Sequence, residues 1–415
     1  MYKFIHCSDL HLDSPMRGLT MREDAPTDAI RSATRRALEN LVSLSIAEAV
    51  RFVVIAGDIF DGDWIDYSTG LFFNACMAQL TAQNIAVYIL NGNHDAASQM
   101  SRKLVPPDGV YRFSHDRPET FVIEDLQVAL HGQGFKNRAV TENLVPEYPT
   151  PVRGYFNIGV LHTSLEGHEG HEAYAPCTVQ DLVMKGYDYW ALGHVHKRQV
   201  IRSENPTIVY PGNIQGRHIR ETGDKGCTVV TVDGSHVSLE HRPLDVLRWS
   251  LCTVNLENAA QPQDVVDRCL TTFQQELANH PGYPLAVRIR LTGTTSLHGA
   301  LLAEWDYYYH EILNAAQQSG VDRIWVEKVL IDTQPMAVEQ VSTAYLDAWS
   351  ELDRLLQAVQ IGDPFLDEFL KDMKAIQRRM PDYNKDTNAS EVRPMDLLSQ
   401  ARDLLEALIA KGGAL

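Results

Sequence analysis

The first half of the chain sets short apolar runs between longer amphipathic stretches. Phe52-Val53-Val54-Ile55-Ala56, Ala86-Val87-Tyr88-Ile89-Leu90, Ile158-Gly159-Val160-Leu161 and Tyr189-Trp190-Ala191-Leu192 are rich in β-branched and aromatic residues, and Phe4-Ile5-His6-Cys7-Ser8 opens the series. Runs of this kind predict buried strands. Residues 27–50 carry Ile30, Ala33, Leu38, Leu41, Leu44 and Ile46 at roughly helical spacing, which predicts a helix with those side chains inward, and residues 68–84 predict another. Farther on, 227–232 and 236–240 alternate on either side of Asp233-Gly234, a hairpin signal.

The pattern changes twice, so three parts are expected: 1–245, 246–340 and 341–415. The middle part reads as a smaller α/β domain, with strands at 249–256, 285–291 and 323–329 and helices at 262–279 and 297–319. The last part reads as helical and acidic. Trp349, Leu352, Leu356 and Val359 form one apolar stripe, Phe365, Phe369, Met373 and Ile376 a second, and Leu397, Ala401, Leu404 and Leu408 a third. A polar linker at 381–394 precedes the third stripe. Stripes of this sort most often pack inside their own chain, but the linker favours docking of the last helix on a partner.

Candidate chemistry gathers where the predicted strands end. Asp9-Leu10-His11, Gly57-Asp58-Ile59-Phe60-Asp61, Gly92-Asn93-His94-Asp95, His162 and Gly193-His194-Val195-His196 each follow an apolar run. They supply the carboxylates of Asp9 and Asp58, the amide oxygen of Asn93, and the imidazoles of His11, His162, His194 and His196, with His94 to spare. Ends of neighbouring buried strands converge on one sheet edge, and strands hold ligands more firmly than loops do. This is the inventory of a two-metal phosphoesterase site, in which two cations clamp both oxygens of an in-line displacement at phosphorus. A single His or Asp at a strand end is usually a turn former; five motifs in this order are hard to ascribe to chance.

The ordered set D-x-H, GD-xx-D, GNHD, H and GHxH resembles the calcineurin-like metallophosphoesterases. The opening Phe-Ile-His-Cys-Ser-Asp-Leu-His-Leu-Asp-Ser-Pro resembles more narrowly the SbcD-type DNA repair exonucleases and their YhaO-like bacterial branch. The motifs span 9–196, and a looser likeness reaches about residue 245. The resemblance implies an α/β fold: a four-layer αββα sandwich followed by a capping domain that restricts which DNA ends reach the metals. It implies that Asp9, His11 and His196 bind one metal, that Asn93, His162 and His194 bind a second, and that Asp58 bridges them. It makes His94 the group that contacts the scissile phosphate and protonates the leaving oxygen, with Asp61 orienting it. Mn²⁺ suits this mix of hard and borderline donors, with Fe, Zn and Mg as alternatives. DNA would be the substrate, and an SMC-like coiled-coil ATPase the partner on which the tail docks; a homodimer contact is the competing use of that helix.

Three further histidines fall outside this scheme. His131 follows a strand-like run but has no ligand position left, so a structural or substrate-edge role is expected, and His168 and His171 read as part of a loop beside His162. The six cysteines are scattered with no CxxC pair, which fits reduced thiols in a cytoplasm. Met1-Tyr2-Lys3 leads straight into the first strand, so no signal peptide is expected, and no apolar run is long enough to predict a membrane span.

The net charge of −17 argues against a nucleic-acid substrate, and two dications would offset at most about four of those charges. Local basic groups exist at Arg31, Arg35 and Arg36, at Lys197 and Arg198, and at Arg217, His218 and Arg220. The first group reads as a solvated helix face. Lys197 and Arg198 directly follow the last motif and are the better candidates for phosphate contact. The stretch Tyr210–Arg217 could bring backbone near the site and is assigned no chemistry. Two other functions therefore stand beside a DNA nuclease: a phosphatase or phosphodiesterase for a small molecule or phosphoprotein, and an inactive scaffold for the ATPase. The intact ligand set counts against the scaffold, and the large C-terminal half counts against a small-molecule enzyme.

Overall fold

The computed structural model describes residues 1–14, 16, 32–61, 67–97, 105–165 and 174–336, together with 354, 371, 402 and 405. The tail stripes, Ile30, Arg31, His168 and His171 lie outside the described residues. The described chain before Trp249 forms one compact unit and the chain from Trp249 a second.

In the first unit the elements are β1 (Tyr2–Cys7), α1 (Ala33–Ala47), β2 (Phe52–Ala56), α2 (Ser68–Ala82), β3 (Ala86–Leu90), α3 (Asn93–Ala97), β4 (Val110–Arg112), β5 (Glu119–Ile123), β6 (Val128–Gly132), β7 (Phe156–His162), α4 (Val179–Met184), β8 (Tyr189–Gly193), β9 (Gln199–Arg202), β10 (Thr207–Tyr210), β11 (Gly226–Asp233) and β12 (His236–Pro243). They build two six-stranded sheets, ordered β12-β11-β1-β2-β3-β4 and β5-β6-β7-β8-β10-β9. The strands at the centre of each sheet, β1-β2-β3 and β6-β7-β8, run parallel, so their C-terminal ends share an edge.

The sheets face one another through Phe4, Phe52, Val54, Tyr88 and Leu90 on one side and Leu130, Ile158, Val160, Tyr189 and Ala191 on the other. Side chains of the opposite parity, Ile5, Val53, Ile55, Val87 and Ile89, pack under Leu38 and Leu41 of α1 and Phe73, Met77 and Leu80 of α2. Leu161, Trp190 and Leu192 pack outward against Leu182 of α4. The result is an αββα sandwich. Because both faces of these strands are covered, each run had to be apolar at every position, not at alternate ones. His6 ties the sheets together: it is buried on β1, with Nδ1 3.0 Å from the Tyr189 hydroxyl and Nε2 3.1 Å from the Leu192 carbonyl of β8.

One sequence expectation is corrected in α1. Thr34, Ala37, Leu38, Leu41, Val42 and Ser45 face inward, at steps of three and four, whereas Ile46 is exposed. Ile46 sits one residue past the inward stripe, about 100° round the helix. Arg36 is exposed, and Arg35 pairs through its guanidinium with Asp13.

The second unit contains β13 (Arg248–Asn255, which begins at the boundary), α5 (Pro262–Asn279), β14 (Leu285–Thr295), α6 (His298–Ala303), α7 (Trp305–Ser319) and β15 (Ile324–Pro335), with the sheet order β13-β14-β15. Its core joins Val265, Cys269 and Phe273 of α5 and Tyr308 and Ile312 of α7 to Val287, Ile289 and Leu291 of β14. The single helix expected over 297–319 is two helices: Glu304 leaves the helical region at φ −120°, ψ 36° and caps both. No Gly or Pro marks that break, so composition gave no warning of it.

Candidate metal centre

Five segments at the shared sheet edges carry every candidate ligand assigned above: His162 ends β7, Asn93 and His94 open α3, and the others lie in loops. After β1 and β2 the chains stay side by side: the Asp9 N–H donates to the Gly57 carbonyl (3.0 Å), His11 to Asp58 (3.1 Å) and Leu12 to Ile59 (2.9 Å). The second sheet repeats the device, with the Thr163 N–H donating to the Gly193 carbonyl at 3.1 Å. The loops are also tied across the sheets, since the His194 N–H donates to Asp9 Oδ2 at 3.1 Å. Within the first sheet the His94 N–H donates to Asp58 Oδ1 at 2.9 Å.

The backbone is strained where the candidate ligands sit. Asp9 (φ 54°), His11 (φ 42°), Asp58 (φ 53°) and His194 (φ 100°) all have positive φ, a conformation uncommon outside glycine that clusters at functional sites. Two glycines are needed for close approach. A Cβ on Gly92 would lie 2.2 Å from Asp58 Oδ1, and one on Gly193 would lie 1.9 Å from the Ala56 carbonyl oxygen.

Three groups of donor atoms result, each with its members within 4.8 Å of one another: Asp9 with His11 and His196, Asp58 with His162 and His194, and, sharing a member with each, His11 with Asp58 and His94. His11 Nε2 lies 3.1 Å from His196 Nε2 and 3.9 Å from Asp58 Oδ2. His162 Nε2 lies 2.9 Å from Asn93 Oδ1 and 3.4 Å from Asp58 Oδ2. Asp58 Oδ2 thus lies within 4 Å of a histidine of each group. Its buried carboxyl is pushed up by desolvation, but His162, His11 and His94 outweigh this and hold it well below the usual range.

The donor set fits divalent cations. Asp9 Oδ1 is buried with no hydrogen-bond partner among the described residues, and two imidazole nitrogens approach face to face. An unsatisfied buried carboxylate oxygen is costly, and a cation would satisfy it together with the neighbouring imidazoles. Asp9, His11, Asp58, Asn93, His162, His194 and His196 would hold the ions.

His94 stands beside this set. It is within 4.8 Å of His11 and Asp58, and its Nδ1 lies 2.8 Å from Asp61 Oδ1. Burial pushes its pKa down, but the Asp61 bond and the Asp58 charge outweigh burial and raise it.

Four residues to which the motifs gave no role complete the surroundings. Asp95 accepts backbone N–H bonds from Ile59 (3.1 Å), Phe60 (2.9 Å) and Gly92 (3.0 Å), fastening the Asp58 loop to the Asn93 loop. Burial and the Asp58 charge push it up to about 7 despite these donors. Ser14 donates to Asp61 Oδ2 at 2.6 Å. Arg217 brings NH1 to 3.7 Å from the same oxygen. Glu221 is buried with Oε1 2.6 Å from His196 Nδ1. Arg217 and Glu221 arrive on the loop after β10, whose backbone runs against the last motif: the Asn213 N–H donates to the His196 carbonyl at 3.2 Å. The sequence pointed to the stretch Tyr210–Arg217 as backbone near the site and to Arg217 in a basic group, but nothing in it marked Glu221 as the partner of His196.

Lys197 is exposed, and Arg198 is partly buried near Tyr189 and His241. His131 is buried in β6, with Nδ1 2.8 Å from Thr120 Oγ1, Nε2 3.0 Å from Asn157 Oδ1, and its ring stacked on Tyr187. Both ring nitrogens are used there in holding the second sheet.

Residues 2–198 match the calcineurin-like phosphoesterase family, and residues 249–334 match the middle domain of the metallophosphoesterase YhaO. The "Uncharacterized metallophosphoesterase YhaO" of Bacillus subtilis is 36% identical over 294 residues, covering 70% of this chain and 72% of that protein. The chain belongs to the calcineurin-like metallophosphoesterase family. The metallophosphoesterase also matches the DNA double-strand break repair protein Mre11 of Aeropyrum pernix, at 30% identity over 54% of this chain and 56% of that protein. The Mre11 of Thermoplasma acidophilum matches at 26% identity over 59% of this chain and 66% of that protein. Among solved structures, a dimetal phosphatase from Danio rerio covers 59% of this chain and 96% of its own, at 13% identity and a TM-score of 0.36. The family is one of hydrolases. Among the described residues no helix is long and apolar enough to cross a membrane, and all six cysteines are buried free thiols.

Proposed function

We propose that this metallophosphoesterase is a two-metal phosphodiesterase that cuts DNA. The observation that carries the hydrolytic reading is the placing of Asp58 between two donor groups, with the His94–Asp61 pair beside them. Two bound divalent cations, for which Mn²⁺ is our choice, would supply electrostatic stabilisation at phosphorus and activation of water at neutral pH. The chain's own residues do the rest. Asp58 offsets the charge of both sites. His94, held by Asp61 through Nδ1, presents Nε2 to the leaving oxygen and gives it a proton. Asp61 is itself fixed by Ser14 and faced by Arg217.

DNA is favoured by the Mre11 relatives, whose name places them in double-strand break repair, and by the large part of the chain beyond residue 248. The role of that second unit would be to restrict access of DNA ends. An SMC-like coiled-coil ATPase would be the partner, docked by the tail, in a cytoplasmic repair complex; a homodimer is the alternative use of the tail.

The test is Mn²⁺-dependent digestion of labelled duplex and single-stranded DNA beside bis-p-nitrophenyl phosphate. Cleavage of both the ester and DNA is expected. Ester hydrolysis without DNA cleavage would restrict the reading to a small phosphodiester. Deleting 381–415 is expected to spare ester hydrolysis and thermal stability while weakening assembly with a coiled-coil ATPase. An aggregated truncation would sink the docking idea.

A further inference from the structure

The two ligand groups are anchored differently. His162 belongs to the Asp58–His162–His194 group, and its Nδ1 lies 2.9 Å from the neutral carbonyl oxygen of Ala56. His196 belongs to the Asp9–His11–His196 group, and its Nδ1 lies 2.6 Å from the carboxylate of Glu221. A carboxylate oxygen at 2.6 Å can only accept, so His196 carries a proton on Nδ1 and donates it to Glu221. Arg217 NH2, 3.3 Å from the same Nδ1, therefore cannot donate there, and Glu221 Oε1 at 3.4 Å is its acceptor.

Glu221 is held from several directions. Its Oε2 accepts the Arg217 N–H at 2.7 Å and the Asn213 amide at 3.0 Å, and His218 Nε2 lies 3.5 Å from Oε1. Only 5% of its side chain is exposed. A buried carboxylate fixed this firmly has no freedom to leave the imidazole. An anionic partner also makes the opposite ring nitrogen a stronger donor than a carbonyl partner does.

We infer that Glu221 is a positioning residue that fixes the tautomer and orientation of His196, so that one of the two metal ions depends on it and the other does not. This rests on the two-metal reading. It goes beyond that reading by making the two positions unequal and by giving the loop after β10 a share in metal affinity.

The experiment is calorimetric titration of the metal-free full-length chain with Mn²⁺. The parent is expected to take up two ions. Glu221→Gln keeps size and shape but removes the anion, and is expected to weaken one ion by about 10–100-fold, the usual loss on removing an outer partner of a ligating His, while the other is unchanged. In a His196→Ala background the same change should cost nothing further; in a His162→Ala background its cost should persist. If Glu221→Gln fails to give a normal circular dichroism melt, Glu221→Asp takes its place. It keeps the charge but draws it back from His196, and should weaken the same single ion. The inference is overturned if both ions bind as in the parent, if both weaken alike, or if the cost persists without His196. A parent that takes up no Mn²⁺ overturns the two-metal reading and the inference with it.

Discussion

The first sheet contributes Asp9, Asp58, Asn93 and one imidazole, His11; the second contributes imidazoles only, His162, His194 and His196. The two sides are held by different means. Asp9 and Asp58 are fixed largely by backbone: both sit at positive φ, and each takes an N–H bond on one oxygen, from His194 and from His94, with the Ser8 hydroxyl added at Asp9. His162 and His196 are fixed through their own rings, by the Ala56 carbonyl and the Glu221 carboxylate. The chemistry explains the difference. A carboxylate has two equivalent oxygens and needs only a direction, whereas an imidazole ligates only in the right tautomer, which a partner on the far nitrogen must set. Errors on the carboxylate side should therefore cost charge, and errors on the imidazole side should cost geometry.

The largest effect is expected at the shared carboxylate. Asp58→Asn retains an acceptor for the His94 N–H, so the loop should keep its shape, but it removes the anion that faces both donor groups. Mn²⁺ titration should show at least one ion lost, and hydrolysis of bis-p-nitrophenyl phosphate should nearly vanish. Normal binding of two ions with normal turnover would sink Asp58 as the bridge.

Next comes His94, which stands on the carboxylate side but outside the assigned ligand set. His94→Ala should keep both ions and slow turnover by about 10²–10⁴-fold, the scale of lost acid–base help. An ester with a very good leaving group should suffer less, because it needs no proton. Metal lost together with activity would place His94 among the ligands.

The carboxylate side was the more legible of the two in the sequence, and the reason is physical. Ligand candidates on both sides stand next to glycines that close approach requires, Gly92 beside Asn93 and Gly193 beside His194, so GD, GNHD and GHxH all appear as contiguous words, and the difference lies in the anchors. Strands covered on both faces also advertise themselves as unbroken apolar runs. The anchors of the imidazole side come from far along the chain: Glu221 meets His196 across 25 residues, and the carbonyl that holds His162 belongs to Ala56, where any residue could supply it. The β9 and β10 strands, Gln199–Arg202 and Thr207–Tyr210, were missed because each is only four residues long. The Glu304 break was missed because both sides of it keep a helical apolar period.

Asp61 sharpens the division between charge and geometry, since it acts on His94 and not on a metal. Asp61→Asn keeps the shape but loses a charge-assisted bond of about 1.5–3 kcal/mol, so turnover should fall by about 10–100-fold with Mn²⁺ binding unchanged. Added to His94→Ala, it should cost nothing more, because its partner is gone. A further loss in the double variant would mean that Asp61 has a second task, for which Arg217, 3.7 Å away, is the first residue to examine.

The smallest effect expected is on the imidazole side and is read by pH. Burial pushes His162 down, but Asp58, the hydrogen bond to it and the Asp9 charge outweigh burial and raise its pKa to about 9 in the metal-free chain. A ligating imidazole must be neutral, so metal uptake below that pH has to displace a proton. Mn²⁺ affinity should then rise with pH toward about 9, by at most about tenfold per unit for each proton released. The metal-free fold should respond in the opposite sense. A histidine raised above its unfolded value of about 6.5 contributes stability that is full below that pH. That stability is lost as pH climbs through the folded value of about 9. Asp95, at about 7 in the fold, shifts stability in the same direction but has finished titrating by the upper half of that window. Thermal melts between pH 7 and 9 should therefore fall without metal and stay nearly level with saturating Mn²⁺, where the gain in affinity offsets the loss. His162→Gln should flatten the metal-free slope, and a slope that survives this change would show that the Asp58–His162 pair does not carry the proton.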